Sequence, residues 1–296
     1  MNTFERRTYT IKNGTFSAVH FGRISNPLKV VFLHANGFNA LSYRTLLQDL
    51  GVHVVALDVH GHGMSDLPAN PKTLRNWHYI ADDIIDYLSH HTHAKVMLAG
   101  HSMGAAMGIL AAAKSPEHIH GLCAFDPPTL PRTAQFMPYL PGGRGFMKKR
   151  FSLAKNAGRR RKHFDSHAAA FERYHRRGTF KHMDEAVLHD YLKGGLVPHS
   201  EGVKLACDPL WEQAVYVSHG HNLYKAATSL PKHSKIIYAG GMGAASLPST
   251  RARMAKALGA DKVEYHTELT HFFPLENPDY ARAEMLALLK QIALNP

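Results

Sequence analysis

Apolar and polar positions along the first half of the chain fall into blocks, with short apolar runs separated by longer amphipathic segments. Four of the runs predict buried strands, at 29–34, 53–58, 95–100 and 122–125. The segments between them predict helices, at roughly 40–50, 73–90 and 103–114. In the second helix Trp77, Ile80 and Ile84 share one face, which indicates packing on a core. This order of elements is typical of a parallel sheet covered by helices.

The pattern changes after the fourth run. From about 130 to 225 the chain is rich in Arg, His and aromatic residues, is helical in pattern and shows no clear strand. Two strand patterns and an amphipathic helix then follow, at 234–239, 262–267 and 278–294. The sequence therefore predicts an α/β core of residues 1–128 and 226–296, with a helical cap of residues 129–225 inserted after the sixth strand.

Composition indicates a folded, basic protein. The 296 residues are about twice the length of a typical domain, which fits a core with an insertion. Hydrophobic residues make up 45% of the chain, enough for a buried core. Lys and Arg number 35 against 23 Asp and Glu, for a net charge of +12. A charged fraction of 20% argues against a disordered or coiled-coil protein.

Several functional classes lack their sequence signals. Cys123 and Cys207 are too few for a disulfide framework and form no zinc pattern. No apolar stretch has the length of a signal peptide's core near the N-terminus, and no window reaches the ~18 apolar residues of a membrane span. We therefore expect a cytoplasmic protein. GxGxxG, Walker and HExxH motifs do not occur, so neither a cofactor nor a metal is expected.

The sequence GHSMG at 100–104 carries the strongest chemical signal. It follows the predicted strand at 95–100 and precedes a helix rich in Ala and Gly. Glycines flank the serine in such a strand-to-helix turn because a Cβ would clash, and the turn exposes the hydroxyl of Ser102 at the sheet edge. This context predicts a nucleophile elbow. The alternative is a glycine-rich turn in which the serine is incidental.

With this motif, the chain resembles the α/β-hydrolase superfamily, and within it a group of bacterial hydrolases that carry the sequence HANGF. Four segments support the resemblance in the superfamily's order: LHANGF at 33–38, ALDVHGHGMSD at 56–66, GHSMG at 100–104 and LTHFFPLENP at 269–278. The resemblance implies a mostly parallel sheet flanked by helices. It also implies a base late in the chain, and His271 matches the superfamily's catalytic histidine.

The acid that orients this histidine is missing from its usual place. Most relatives carry an Asp after the strand that corresponds to 234–239, but no Asp or Glu occurs between Glu212 and Asp261. Asp261 begins the next strand and is expected at the wrong end of the sheet. Asp126 is the best replacement because it ends the strand beside the nucleophile strand, at the edge where catalytic groups collect. Asp58 ends another strand at the same edge and is the runner-up, and Asp126 could instead be a turn residue before Pro127.

An oxyanion hole requires two backbone N–H groups directed at the developing negative charge. One is expected from Met103, the residue after the serine, and the other from Asn36, with Gly37 as the alternative. Asn also tolerates unusual backbone conformations, which is the competing explanation for Asn36.

These residues predict a serine hydrolase that cleaves carboxylic esters through an acyl-enzyme. Ser102 attacks, His271 transfers the proton, Asp126 orients His271, and the amides of Asn36 and Met103 hold the oxyanion. The serine favours this chemistry over that of dehalogenases and epoxide hydrolases with an aspartate nucleophile. Two alternatives stay open: a C–C bond hydrolase of a diketone, and a ligand-binding protein with a cap and a decayed triad.

The cap sequence is strongly basic at residues 144–162, which contain nine Lys or Arg and no acid. Phe146, Phe151 and Leu153 are interleaved with these cations. The segment is either a solvated helix face or a surface for anionic lipid or another polyanion. No nucleic-acid module accompanies it, so no specific nucleic-acid partner is expected. Six aromatic residues could line an apolar acyl pocket or could equally form the core of the cap: Tyr139, Phe146, Phe171, Tyr174, Tyr191 and Trp211.

Overall fold

The computed structural model describes residues 4–294. Its strands are β1 (Phe4–Ile11), β2 (Gly14–Phe21), β3 (Leu28–Leu33), β4 (His53–Leu57), β5 (Val96–His101), β6 (Ile119–Phe125), β7 (His163–Phe164), β8 (Leu196–His199), β9 (Gly202–Leu205), β10 (His233–Ala239) and β11 (Val263–His266). Its α-helices are α1 (Arg44–Leu47), α2 (His78–His91), α3 (Met103–Lys114), α4 (Gly143–Arg150), α5 (Ser152–Ala157), α6 (His167–Tyr174), α7 (Glu185–Gly195), α8 (Pro209–Tyr216), α9 (Leu223–Ala227), α10 (Pro248–Leu258), α11 (Phe273–Glu276) and α12 (Pro278–Leu294). Short 3-10 helices cover Ala40–Tyr43, Arg132–Tyr139, Gly178–Phe180 and Ala260–Lys262.

Eight strands form one sheet in the order β1-β2-β4-β3-β5-β6-β10-β11. From β4 to β11 all neighbours pair in parallel, and β2 runs antiparallel to both β1 and β4. The predicted α/β class with a mostly parallel sheet is confirmed. The central strands are buried on both faces, because helices pack on each side, and this explains why they appear in the sequence as continuous apolar runs.

The hairpin β1–β2 was not among the predicted strands. Its residues pair from Phe4 with Phe21 to Ile11 with Gly14, which leaves Lys12 and Asn13 as a two-residue loop. β1 is half-exposed at the sheet edge, and its residues 5–8 are all polar, so it contains no apolar run. The Asn13-Gly14 pair was the available turn signal.

Predicted helices agree with the structure where the apolar stripe is strong. α3 and α12 have the predicted ends, and α2 buries Ile80, Ile84 and Leu88 but begins at His78 rather than near 73. The helix predicted at 40–50 is a 3-10 turn followed by the four residues of α1. Between residues 4 and 294, no helix combines the length and the apolar character needed to cross a bilayer.

The prediction that the cap contains no strand is wrong. β7, β9 and β8 form a separate three-stranded antiparallel sheet. These strands are two to four residues long, and β8 contains Pro198, so no alternating pattern of useful length exists in the sequence. Their separate pairing supports our proposal that residues 129–225 form a cap distinct from the core.

Candidate active site

The turn between β5 and α3 presents Ser102. This residue has φ 54° and ψ −115°, a backbone conformation that residues other than glycine rarely adopt. A Cβ at position 104 would overlap the carbonyl oxygen of Leu33, and a Cβ at position 100 would lie 2.7 Å from the carbonyl carbon of Gly104. Both glycines are therefore required by the close packing of α3 on the sheet, and the turn leaves Ser102 partly exposed.

His271 lies in the loop between β11 and α11, beside this serine. Its Nε2 lies 3.1 Å from Ser102 Oγ, and its Nδ1 lies 2.5 Å from Asp126 Oδ2. With the proton on Nδ1, the ring donates to Asp126 and accepts from the serine hydroxyl. The structure thus brings Ser102, His271 and Asp126 into one hydrogen-bonded chain, although they are far apart in the sequence.

Asp126 follows β6 at φ 42°, and its N–H donates to the carbonyl of Ile237 over 2.7 Å. The carboxylate is fully buried. Besides His271, it accepts from the backbone N–H groups of Ala239 (3.2 Å) and Ala245 (3.1 Å). Ala245 belongs to the loop after β10 that carries no acid. That loop therefore provides a donor to the carboxylate in place of a carboxylate of its own.

Asp58, the runner-up acid, has other partners. Its carboxylate pairs with Arg6 at 2.5 Å and accepts from the N–H groups of Ala40 (2.8 Å) and Met64 (3.0 Å). His271 is not among its partners within residues 4–294. Asp58 therefore holds the loop after β4 to the N-terminal hairpin. Asp261 precedes β11, at the end of the sheet away from the serine, as expected.

The loop after β3 supplies the second candidate oxyanion donor. The N–H of Gly37 donates to His62 Nε2 over 2.9 Å and is therefore occupied. Within residues 4–294, no intramolecular hydrogen bond uses the N–H of Asn36 or of Met103, the first residue of α3. The side chain of Asn36 donates to the carbonyl of Glu212 over 3.0 Å, which links this loop to the cap. These contacts favour Asn36 over Gly37 as the donor.

Two buried histidines support the same loop, and the sequence analysis gave them no role. His34 accepts from the N–H of Val59 (3.0 Å) and donates to the carbonyl of Ala35 (2.8 Å). Burial lowers the pKa of His34 to about 4 and that of His62 to about 3, so both rings are neutral. Each ring can thus accept through one nitrogen and donate through the other. The sequence signal that could have identified them is the position of His34 in HANGF and of His62 in HGHG.

A further hydrogen-bonded network joins the loop after β3, which carries Asn36 and is called the oxyanion loop below, to the loop that carries His271. The N–H of Ala35 donates to the hydroxyl of Tyr43 (3.2 Å), which donates to His101 Nδ1 (2.7 Å). His101 Nε2 in turn donates to the carbonyl of His271 over 2.7 Å. Burial holds the pKa of His101 well below its usual range, which keeps the ring neutral for these two opposite roles. Neither Tyr43 nor His101 was predicted from the sequence to have this role.

Aromatic side chains connect the catalytic loops with the cap. The ring centroid of Phe38 lies 5.9 Å from that of Phe272 and 5.5 Å from that of Tyr191. Of the six aromatic residues predicted to line a pocket, Tyr191 and Trp211 are buried. Tyr139 and Phe146 are more than half exposed, which disfavours both a buried pocket and the core of the cap as their place. Hydrophobic type alone does not show on which side of a short helix a residue lies.

The cap packs a partly buried ion pair, Arg160 with Glu212, against the oxyanion loop at Gly37. Arg160 donates to Glu212 over 2.6 Å and to the hydroxyls of Tyr191 (2.5 Å) and Tyr174 (3.2 Å). A Cβ at position 37 would lie 2.7 Å from Glu212 Oε1, so Gly37 allows this close approach.

Cys123 and Cys207 do not take part in the candidate site. Both are buried, and burial raises the pKa of each thiol, which keeps them protonated. Across residues 4–294, no group of three or more His, Cys, Asp or Glu side chains is arranged to hold a metal ion. Ser102 is therefore the candidate nucleophile with a base beside it.

The chain resembles two characterised proteins over part of its length. It is 30% identical over 118 residues to 2-(acetamidomethylene)succinate hydrolase of Mesorhizobium japonicum, covering 39% of this chain and 38% of that protein. It is 32% identical over 107 residues to ethanol acetyltransferase 1 of Kluyveromyces lactis, covering 34% of this chain and 27% of that protein. These matches span well under half of each relative.

Solved structures match over nearly the whole length. The crystal structure of E-2-(acetamidomethylene)succinate hydrolase has a TM-score of 0.77 and 21% identity, over 97% of this chain and 99% of that one. An esterase of M. tuberculosis has a TM-score of 0.73 and 18% identity, over 98% and 93%. These likenesses confirm the fold. Residues 28–266 match the model of a family described as "Hydrolase_4: Serine aminopeptidase, S33". The chain belongs to this family and to the α/β-hydrolase superfamily.

Proposed function

We propose that this protein hydrolyses carboxylic esters through an acyl-enzyme on Ser102. The observation that carries the proposal is the hydrogen-bonded chain from Ser102 Oγ through His271 to the buried carboxylate of Asp126. A serine hydroxyl is a weak nucleophile until a neighbouring base removes its proton. His271 is in position to do so, and Asp126 is in position to hold the ring in the required tautomer.

The reaction proceeds in two halves. Ser102 Oγ bonds to the carbonyl carbon while its proton passes to His271 Nε2, and the N–H groups of Asn36 and Met103 stabilise the oxyanion. The C–O bond to the alcohol breaks, and His271 gives its proton to the departing oxygen. Water then attacks the acyl-enzyme with His271 as base, which releases the acid and restores Ser102.

The apolar surroundings support an ester with an apolar acyl part. Phe38 and Phe272 flank the catalytic loops, and Tyr191 continues this surface into the cap. The cations nearest to the oxyanion loop include Arg160, which is already paired with Glu212 and is therefore not a free carboxylate receptor. A small neutral ester with an apolar acyl group fits these surroundings best.

The intact hydrogen bonds argue for catalysis over a decayed ligand-binding protein. Burying a carboxylate is costly, and in a protein without catalytic activity the carboxylate of Asp126 with its three hydrogen-bond donors would serve no function. The names of the relatives include a hydrolase, an esterase and an acetyltransferase, and one acyl-enzyme can transfer its acyl group to water or to an alcohol. Hydrolysis is the proposed outcome for this chain.

A panel of p-nitrophenyl esters of increasing acyl length tests the proposal. We expect turnover by the wild type, loss of turnover in Ser102→Ala, and a fall of at least about 10³-fold in His271→Ala. Ser152→Ala, at an exposed serine of the cap, is the matched control and should keep full activity. Cleavage of a vinylogous diketone without ester cleavage would instead establish the C–C hydrolase, and turnover of neither would contradict the proposal.

A further inference from the structure

Four cations of the cap that the proposed hydrolysis does not use meet in one cleft. The cleft has a volume of about 350 Å³ and is lined by Lys148, Lys149, Lys155, Gly158, Arg159 and Gln213. No carboxylate lines it. Within residues 4–294, the ion pairs of segment 144–162 are those of Arg160 with Glu212 and of Lys162 with Asp208, so the four cleft cations have no acidic partner.

The cleft is built from three packed elements rather than one flexible chain. Lys148 and Lys149 lie in the last turn of α4, Lys155 in that of α5, and Arg159 just after α5. α5 packs on both α4 and α8. From α8, Gln213 Nε2 donates to the carbonyl of Ala154 over 3.0 Å, which fixes the amide at the cleft wall. The backbone positions that carry the four cations are therefore fixed, and the side chains of Lys149, Lys155 and Arg159 extend from them into solvent.

Such an arrangement is electrostatically unfavourable without a counter-ion. Like charges that converge on one cleft repel each other, and the partial burial of Lys148 weakens the compensation by water at that residue. The pKa of Lys148 is lowered by burial and by the nearby Arg144. Positions at helix C-termini favour the three lysines individually. The favourable charge at a helix C-terminus does not explain why Arg159, which lies beyond α5, faces the same cleft. It also does not explain why the C-terminal ends of α4 and α5 converge there.

We propose that this cleft binds the phosphate group of an anionic ligand. A phosphate carries up to two negative charges and several acceptor oxygens, which match three ammonium groups, one guanidinium and the amide of Gln213. A single carboxylate would leave most of these donors unpaired. Three exposed apolar residues, Phe146 on α4, Leu153 on α5 and Phe151 between the two helices, suit a lipid as one source of the phosphate. A free phosphate ester is the other source.

The cleft is separate from the proposed catalytic centre. Arg159 lines the cleft, whereas the next residue, Arg160, pairs with Glu212 on the side of the oxyanion loop. In the same way, Gln213 lines the cleft and its neighbour Glu212 contacts Asn36. Substitution of the cleft cations therefore leaves Arg160 and Glu212 in place, and phosphate binding does not depend on the proposed ester hydrolysis.

Calorimetric titration with inorganic phosphate, together with sedimentation with vesicles of phosphatidylglycerol or of phosphatidylcholine, tests the proposal. We expect the wild type to bind phosphate or the phosphatidylglycerol vesicles. The triple variant Lys149→Gln, Lys155→Gln, Arg159→Gln should bind at least about tenfold more weakly. The control, Lys12→Gln, Arg23→Gln, Lys29→Gln, removes the same charge elsewhere and should bind like the wild type. The single variant Arg159→Gln repeats the test if the triple variant is unfolded.

The two arms identify the source of the phosphate. Binding of free phosphate indicates a soluble phosphate ester. Binding of phosphatidylglycerol vesicles alone, with a further loss in Phe146→Ser, Leu153→Ser, indicates a lipid headgroup. The proposal is overturned if the wild type binds neither probe, or if the control variant loses as much binding as the cleft variant, because net charge alone would then explain the attraction.

Discussion

At the scale of single residues, the carboxylate beside His271 comes from Asp126, after β6, and not from the loop after β10, where the superfamily resemblance leads us to expect it. The carboxylate of Asp126 also accepts from the N–H groups of Ala239, at the end of β10, and Ala245, in the loop that follows. The role of Asp126 in orienting His271 follows from this geometry and from the proposed reaction.

Asp126→Asn should lower kcat by roughly 10³- to 10⁴-fold, because an amide no longer stabilises the imidazolium or fixes the tautomer of His271. Asp58→Asn is the matched control. It breaks the ion pair with the half-buried Arg6, at a cost of about 1–3 kcal/mol in the free energy of unfolding, and should leave kcat of the folded fraction nearly unchanged. Ester kinetics and urea unfolding measure both effects. The reverse result would assign the acid to Asp58.

Tyr43 illustrates what a linear sequence does not show. Ser102 and His271 could be predicted because each lies in a local motif, and Asp126 because the loop after the strand at 234–239 carries no acid. Tyr43 belongs to no sequence motif, and its hydroxyl forms hydrogen bonds with Ala35 and His101 only in the folded protein. The same applies to Glu212, which reaches Asn36 across 176 residues.

Tyr43→Phe should lower kcat with little effect on KM, because the hydroxyl positions the loops of Asn36 and His271 without touching the substrate. It also leaves two buried polar groups without a partner, which should cost about 1–3 kcal/mol of stability. Steady-state kinetics and thermal unfolding separate the two effects. An unchanged kcat would show that the network has a purely structural role.

At the scale of elements, the packing of α3 on the sheet determines where Ser102 stands. The parallel strands and α3 could be predicted because burial on both faces leaves continuous apolar runs. The hairpins β1–β2 and β8–β9 were not predicted, since β1 is half-exposed and carries few apolar residues, and β8 and β9 are only four residues long. The sequence thus predicted the part of the fold that holds the serine better than the part that covers it.

Gly104→Ala should destabilise the protein by about 1–3 kcal/mol or more and reduce turnover, since the added methyl group would overlap the Leu33 carbonyl and push α3 from β3. Gly145→Ala in α4 is the matched control. Its Cβ would meet no atom within 4 Å, and alanine favours a helix, so stability should stay equal or rise slightly. Urea unfolding of both variants provides the measurement. Equal stability of Gly104→Ala and the wild type would contradict the packing argument.

At the scale of the whole molecule, buried neutral histidines link stability to pH. The pKa of His34 is lowered to about 4 and that of His62 to about 3, in both cases chiefly by burial. In the unfolded chain these rings titrate near the ordinary value of about 6.5. Below that pH the unfolded state therefore binds protons that the folded state does not, and stability falls as pH falls.

Urea unfolding at several pH values tests this linkage. The free energy of unfolding should be roughly constant above about pH 7 and should fall between about pH 6.5 and 4, by about 1 kcal/mol per such histidine at pH 5.5. The loss per pH unit should be steepest at about pH 5, between the unfolded and the folded pKa values, where the two states differ by nearly one proton per ring. A free energy of unfolding that stays level or rises over this range would contradict the assignment of neutral rings.

The central claim, that Ser102 is a nucleophile activated by His271, is tested most directly by covalent labelling. The protein is treated with a fluorophosphonate, and its intact mass and labelled peptide are determined. We predict one adduct, on Ser102, that forms much more slowly in His271→Ala and is absent in Ser102→Ala. No adduct, or an adduct on another residue at the same rate in all three proteins, would contradict the account.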